Sequence, residues 1–469
     1  MNNHQLLEVR NPFSGELLDT IKKPTPLEVQ DAFAKAEKAY QDYMKKMPAW
    51  ERAEILFKVA ELIASDSEEL SFLIAKEGGK PLKDARVEVA RAVNTVKMSG
   101  MEALRLNGEQ ITMDRAKGSE NHISFTLKQP IGVVLAISAF NHPVNLICHQ
   151  VSTAIASGNA VVLKPAEKTP LSAKKITDFF YQAGLNPDAL QYLVLSGKET
   201  EEILTNPVIK YVSFIGNADI GWLIRRKVLP GVKVMLEHGG TAATIVANDA
   251  NLNIAVPSII RGAYYHSGQV CVSTQLVYVH EKIYDAFVNQ IKESVNNLKT
   301  GDATLPDTDC GPLITKAVVE KMKFLIEDAK IKGAKVLIGG NPLPNQCFAP
   351  TLLENVNSEM LVFKDEVFGP LLSIIKYKEI DEVINVINKS KFAFQTSIYT
   401  ENIDLAFYYA KNIEQKACII NDSTAFRVDW MPFGGYKESG FGTGGIKYAI
   451  NDMMEDKLIV LKNNYGIYL

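Results

Sequence analysis

Three positions carry side chains suited to covalent chemistry: Cys271, Glu237 and Asn141. Cys271 closes the segment Ser267-Gly268-Gln269-Val270-Cys271, after an expected helix and before an expected strand. A cysteine is a strong nucleophile once it reaches the thiolate. A buried, inert cysteine is the commoner role, and this segment alone does not separate the two. Glu237 leaves an apolar strand into the turn His238-Gly239-Gly240, a place suited to a general base or to a plain surface carboxylate. Asn141 lies in Ser138-Ala-Phe-Asn141-His142-Pro143, just past another apolar strand. Its amide can hold an oxyanion, cap a helix start before His-Pro, or do both.

A second group of residues suits a nucleotide. Strict G-x-G-x-x-G is absent, but Phe214-Ile-Gly216-Asn217-Ala-Asp-Ile-Gly221 reads as a strand running into a helix. Backbone amides at such a helix start can hold a pyrophosphate, although a Gly-containing strand-to-helix turn is common. Leu163-Lys164-Pro165-Ala166-Glu167 ends a further strand, where a carboxylate and a lysine can meet ribose hydroxyls or simply pair in solvent. Glu366-Val-Phe368-Gly369-Pro370 and Pro432-Phe-Gly-Gly-Tyr-Lys-Glu-Ser-Gly440 read as loops.

The elements that must position these residues are legible in the pattern. Residues 26–106 read as helices, broken at Gly78-Gly79-Lys-Pro81. From Ile131 short apolar strands alternate with helices: Ile131–Ile137, Ala160–Leu163, Tyr192–Leu195, Tyr211–Phe214 and Lys233–Leu236. The same grammar restarts after Gly240, with strands expected at Ala243–Val246, Gln275–His280, Lys335–Ile338, Leu371–Lys376, Thr396–Thr400 and Ala417–Asn421. Such alternation predicts α/β architecture with parallel sheets covered on both faces. His122–Lys128 alternates like an exposed strand, and Asp456–Lys462 reads as a final one.

Composition narrows the class. The 469 residues are 46% apolar and 22% charged, which excludes disorder as the main state. Lys and Arg number 51 against 54 Asp and Glu, so there is no basic field to attract nucleic acid or anionic lipid. The longest clean apolar run, Ile131–Phe140, is half of the ~20 residues a membrane span needs. Five widely spaced cysteines without C-x-x-C exclude a disulfide framework and a zinc pattern. No apolar h-region follows Met1, so a cytoplasmic enzyme or large binding protein is expected.

Taken together, Lys164-Pro-x-Glu167, Phe214-x-Gly216, Glu237-x-Gly-Gly240, Gly268-Gln-x-Cys271, Glu366-x-Phe-Gly-Pro370 and Pro432-Phe-Gly-Gly435 resemble the NAD(P)-dependent aldehyde dehydrogenase superfamily, in its order and spacing over nearly the whole chain. The resemblance implies a Rossmann-type cofactor domain (1–117 and 131–240), an α/β catalytic domain (241–446) and a small β oligomerisation element (118–130 and 447–469). It implies that Cys271 attacks the aldehyde carbon while Asn141 and the Cys271 amide hold the oxyanion. Hydride then passes to the cofactor, and Glu237 activates the water that hydrolyses the thioester. Ile137, Ser138, Lys164, Glu167, Phe214, Gly216, Asn217, His238, Gly239, Glu366 and Phe368 inherit cofactor contacts. Glu167 favours NAD by repelling a 2′-phosphate, with NADP possible because Lys164 offsets it.

Two positions depart from the family. Ile215-Gly216-Asn217 replaces the usual Thr-Gly-Ser, and His238 replaces the usual Leu. His238 reads as a neutral packing residue, with an influence on cofactor pose as the alternative. Arg91, His142 and Arg427 match a subgroup containing lactaldehyde, non-phosphorylating glyceraldehyde-3-phosphate and phosphonoacetaldehyde dehydrogenases. They imply a small aldehyde with an anionic end, since an arginine fork suits phosphonate, sulfonate, phosphate or carboxylate. Val270 stands where some phosphate-binding members carry Arg. The alternatives are a short-chain aldehyde dehydrogenase without anion selectivity, such as one for lactaldehyde, a CoA-acylating relative, or a non-catalytic scaffold. The arm and tail imply a homodimer or homotetramer.

Overall fold

Runs such as Val133–Ile137 and Ala160–Lys164 are buried at every position, as strands covered on both faces must be. In the computed structural model, which describes residues 5–462, they are adjacent inner strands of a six-stranded sheet. Its order is Gly440–Phe441, Lys233–Glu237, Ile209–Ile215, Val133–Ile137, Ala160–Lys164 and Leu190–Tyr192. All neighbours are parallel except the Gly440–Phe441 edge. Register aligns Ile137 with Lys164 and Phe214, and Ile215 with Glu237. Four strands therefore end on one level, and the residues that follow them share one crevice.

The second sheet has seven strands in the order Lys335–Ile338, Thr351–Glu354, Leu371–Tyr377, Thr274–His280, Ala242–Val246, Gln395–Tyr399 and Ala417–Ile420. It is parallel apart from the Lys335–Ile338 edge. The architecture is α/β with parallel sheets. A third sheet pairs Met454–Lys462 with His122–Pro130 over nine residues, with Gln110–Ile111 beside them. The expected arm and final strand thus pair with each other within one chain. They leave Leu127, Leu458, Val460 and Leu461 exposed. The last seven residues of the expected oligomerisation tail, 463–469, and the first four of the chain lie outside the described residues. Among the described residues no helix is long and apolar enough to cross a membrane.

Some elements differ from expectation. The strand expected at Tyr192–Leu195 is Leu190–Tyr192, because its partner Ala160–Lys164 reaches Leu190 at Val161 and runs out at Lys164. The hairpin of Leu6–Arg10 and Leu17–Lys22 was not expected. It buries only Val9 and shows no clean alternation. The strand Thr351–Glu354 is a short apolar run whose type only its sheet neighbours decide.

Helices Ala49–Ser65, Ser67–Gly78 and Leu82–Ala103 pack beside the first sheet. Gly79 ends the second at φ +68°, a left-handed cap that glycine adopts freely, so the Gly-Gly break is a true helix stop. On the third, Glu88 is fully buried and pairs with buried Lys80. The other Glu88 oxygen accepts the amides of Val144 and Asn145 at 2.9 and 3.1 Å. This carboxylate caps the Asn145–Ala156 helix, which has no side-chain cap of its own, and so fixes the chain just past Asn141. Lys80→Met would leave Glu88 as a buried, uncompensated charge. A loss of about 3–5 kcal/mol in unfolding free energy is expected by denaturant titration, and a loss under ~1 kcal/mol would refute this account.

Candidate active site

Glu237 is the last residue of its strand and is buried. Cys271 comes from the other side of the crevice. Before it, His266, Ser267 and Gly268 have φ of +48°, +55° and +70°, three successive left-handed residues. A Cβ on Gly268 would lie 2.1 Å from the carbonyl oxygen of Gly369, so the loop needs glycine there. The Gln269 side chain accepts the Ile314 amide at 3.0 Å and pins the loop from behind. The result is a Cys271 thiol 3.6 Å from Glu237 Oε1. Burial, then the Glu237 carboxylate, pushes the thiol well above its ordinary pKa. Burial also raises Glu237, while Arg427 opposes both shifts.

Asn141 donates from Nδ2 to the Gln269 carbonyl at 3.0 Å. The amide has a second N–H, and its Oδ1 is buried without a partner. Helix capping is not its task, because the helix starts four residues later under Glu88.

Cys271 and Glu237 lie where two cavities meet. The larger, of about 630 Å³, follows the carboxyl edge of the six-stranded sheet. Its wall includes all eleven expected cofactor residues: Ile137, Ser138, Lys164, Glu167, Phe214, Gly216, Asn217, His238, Gly239, Glu366 and Phe368. The fit to a dinucleotide can be tested on unmet polar atoms and close approaches. Ser138 Oγ and Glu366 Oε1 are buried without partners. A Cβ on Gly239 would lie 1.6 Å from Glu366 Oε1, so only glycine lets this carboxylate approach. Burial pushes Glu366 up to about 7. Asn217 caps the Ala218–Lys227 helix, accepting the Asp219 amide at 2.8 Å. Its Oδ1 is engaged, and its Nδ2 is left for an anion at the helix start. Lys164 is largely buried, and Glu167 lies 3.7 Å from Lys23. This crevice has the shape and donor set for a dinucleotide.

His238 packs against Phe214 and Trp222 with ring centroids 5.9 and 5.7 Å away. Its Nδ1 lies 2.9 Å from the Glu438 carbonyl and donates to it, which leaves Nε2 unprotonated and unpartnered. Burial lowers its pKa. A Cβ on Gly221 would lie 1.8 Å from Nε2. The imidazole where a leucine is usual is therefore a neutral packing group, matched by a glycine on the facing helix.

The smaller cavity, of about 310 Å³, opens on the other side of Cys271 and is lined by Arg91, His142 and Arg427. These three are not equivalent. Arg91 grips Asp429 with two hydrogen bonds, at 2.7 and 3.1 Å. His142 shares a 3.2 Å hydrogen bond with Tyr265, and burial holds its pKa well below the ordinary value, so it is neutral. Arg427 stacks on Phe433 with its guanidinium carbon 3.4 Å from the ring centroid, and its Nη1 is buried without a partner. Sequence reasoning missed His149, Tyr265 and Asp429. Asn145 and His149 stand one turn apart on the helix after Asn141, a spacing that could have marked them.

The family model for the aldehyde dehydrogenase family matches residues 1–459. A 3-sulfolactaldehyde dehydrogenase of Priestia megaterium is 42% identical over 457 residues, 97% of this chain and 94% of that protein. A lactaldehyde dehydrogenase of Methanococcus vannielii is 36% identical over 464 residues, 97% of each chain. The crystal structure of a glyceraldehyde-3-phosphate dehydrogenase from Methanocaldococcus jannaschii, complexed with NADP, superposes with a TM-score of 0.94 at 34% identity, covering 99% of this chain and 100% of that one. On a match that runs almost from end to end, the chain belongs to the aldehyde dehydrogenase family, oxidoreductases that act on aldehydes.

Proposed function

We propose that this enzyme oxidises a small aldehyde with an anionic end to the corresponding acid, using NAD or NADP, with Cys271 as nucleophile. The observation that carries the anionic reading is Arg427. Its guanidinium is held on Phe433, faces the cavity beside Cys271, and keeps Nη1 unengaged. A buried donor without a partner costs about 1–3 kcal/mol, which a sulfonate, carboxylate or phosphonate oxygen would recover. The relative that acts on 3-sulfolactaldehyde supports a sulfonate, and a Physcomitrella patens aldehyde dehydrogenase structure in complex with succinate supports a carboxylate (TM-score 0.96, 33% identity, 100% of this chain and 97% of that one).

In this reading Asn141 Nδ2 and the Cys271 amide receive the oxyanion when the sulfur adds to the carbonyl. NAD(P), when bound, supplies the hydride acceptor. Glu237 then takes a proton from the water that opens the Cys271 thioester, and burial makes its carboxylate a stronger base than an exposed one. Ser138, Glu366 and Gly239 would hold the nicotinamide end, with Phe368 beside it. Asn217 and Gly216 would meet the pyrophosphate, and Lys164 and Glu167 the adenine ribose. Glu167 favours NAD, and Lys164 leaves NADP acceptable. Residues 1–117 and 131–240 serve the cofactor in this reading, and 241–446 carry the nucleophile. The exposed apolar side chains of the small sheet support a dimer or a tetramer.

Three measurements test the assignment. Because the free thiol lies above its ordinary pKa, alkylation of Cys271 by iodoacetamide in the cofactor-free enzyme should rise about tenfold per pH unit through pH 9. A plateau near pH 7 would contradict it. Glu237→Gln should release one equivalent of reduced cofactor per site and then slow turnover by about 10²–10⁴-fold. Unimpaired steady turnover would remove Glu237 from the mechanism. Arg427→Ala should lower kcat/KM for an anionic aldehyde by about 10–100-fold and leave a neutral aldehyde of equal length much less affected. Equal losses, or no wild-type preference for the anion, would sink the anionic reading.

A further inference from the structure

We infer that Lys23, which stands behind the adenine end of the cofactor crevice, is a positioning residue that tempers Glu167 and so keeps the 2′-phosphate of NADP admissible. The inference rests on the reading that Glu167 meets the adenine ribose, and it names what sets the balance between the two cofactors.

Four charged side chains line this end of the crevice: Lys164, Glu167, Lys168 and Glu201. Glu201 is ion-paired with Lys227, the last residue of the Ala218–Lys227 helix. Burial lowers the pKa of Lys164, and Glu167 opposes that shift. Glu167 is the group that can accept from a ribose hydroxyl and repel a 2′-phosphate. Lys23 is not on the crevice wall and is buried, yet its Nζ lies 3.7 Å from Glu167 Oε1 and 2.8 Å from Glu199 Oε2.

The backbone fixes Lys23 in this place. It follows the strand Leu17–Lys22, and its amide donates to the Gln5 carbonyl at 2.9 Å. Two residues later Thr25 caps the Pro26–Asp42 helix in a capping box with Glu28. The N-terminal hairpin thus delivers an ammonium to the loop that follows Lys164. Glu199 is held as well. Its Oε2 accepts the amide and the hydroxyl of Ser196 at 2.7 and 2.6 Å, in the capping box of the Gly197–Ile203 helix. Against the cost of burial, Lys23 and Ser196 bring its pKa down to about 2, so it is a carboxylate at neutral pH.

The two distances rank the contacts. Lys23 is closest to Glu199 and reaches Glu167 as a longer ion pair, beyond hydrogen-bond length. Glu167 therefore faces the crevice with a cation behind it, and that cation offsets part of the repulsion a 2′-phosphate would meet. Removing Lys23 leaves both carboxylates uncompensated, which disfavours the 2′-phosphate. Neutralising Glu199 releases the ammonium toward Glu167, which favours it. The two changes push one quantity in opposite directions. A merely structural ion pair would weaken both cofactors alike and leave their ratio where it was.

The test measures binding of NADH and NADPH to the full-length enzyme by nicotinamide fluorescence, without aldehyde, at about pH 8 and low ionic strength. Lys23→Met should raise the ratio of Kd for NADPH to Kd for NADH by about three- to tenfold. Glu199→Gln keeps the capping box, since glutamine serves there too, and should lower the same ratio by at least about twofold. It also stands as the second variant if Lys23→Met does not fold. In either variant, a change below about twofold or one in the opposite direction would overturn the proposal. The ratio is insensitive to the fraction of enzyme folded. Glu167→Gln in the same titrations separates the two levels of the argument. It should lower the ratio, and an unchanged ratio would be the failure of the parent reading, that Glu167 meets the 2′ position, and would overturn the proposal with it.

Discussion

A thiol from the loop leading into one sheet and a carboxyl group at the end of a strand of the other meet at 3.6 Å, and the rest of the molecule can be understood as holding that contact. Glu237 is fixed by strand register, with its neighbour Ile215 paired beside it and Gly440 on its other side. Cys271 is fixed by three left-handed residues and by the close pass of Gly268 under Gly369. Left-handed backbone at His266 and Ser267 stores strain that the packing around it must offset. The loop is buried, with the His266 amide donating to Asp84, the Ser267 hydroxyl to the Gly311 carbonyl and the Gln269 side-chain amide to the Pro312 carbonyl.

Burial sets the electrostatic terms. It raises both the thiol and the carboxyl, and their proximity raises the thiol further. Arg427 is the counterweight on that side of the site, and burial pushes it in turn down to about 10, still fully charged at neutral pH. One guanidinium thus lines the smaller cavity together with Cys271 and Glu237. Arg91, on the wall of the same cavity, is instead bound to Asp429.

Much of this was legible from residue types and spacing. Continuous apolar runs separated by helical periodicity announced two parallel sheets, since only strands covered on both faces can be apolar throughout. The motifs around Lys164, Phe214, Glu237, Cys271 and Glu366 marked one crevice because each lies at a strand end or beside a glycine turn, and all of them line the two cavities that meet at Cys271. The N-terminal hairpin was not legible, because strands that bury one side chain in eleven leave no periodic trace. Asp429 was not legible either. A lone aspartate in a loop carries no signal until Arg91, from a helix 338 positions earlier, closes on it.

Chemistry and sheet order were therefore written into the chain locally, in side-chain reactivity, hydrophobic period and glycine placement. The state of each charge was not. Whether Arg91 faces a ligand or a carboxylate, whether His142 is charged, and whether His238 reaches the cofactor or fills a glycine-made space opposite depend on partners distant in sequence. Those partners, and the burial that shifts pKa values, exist only after the chain has closed on itself.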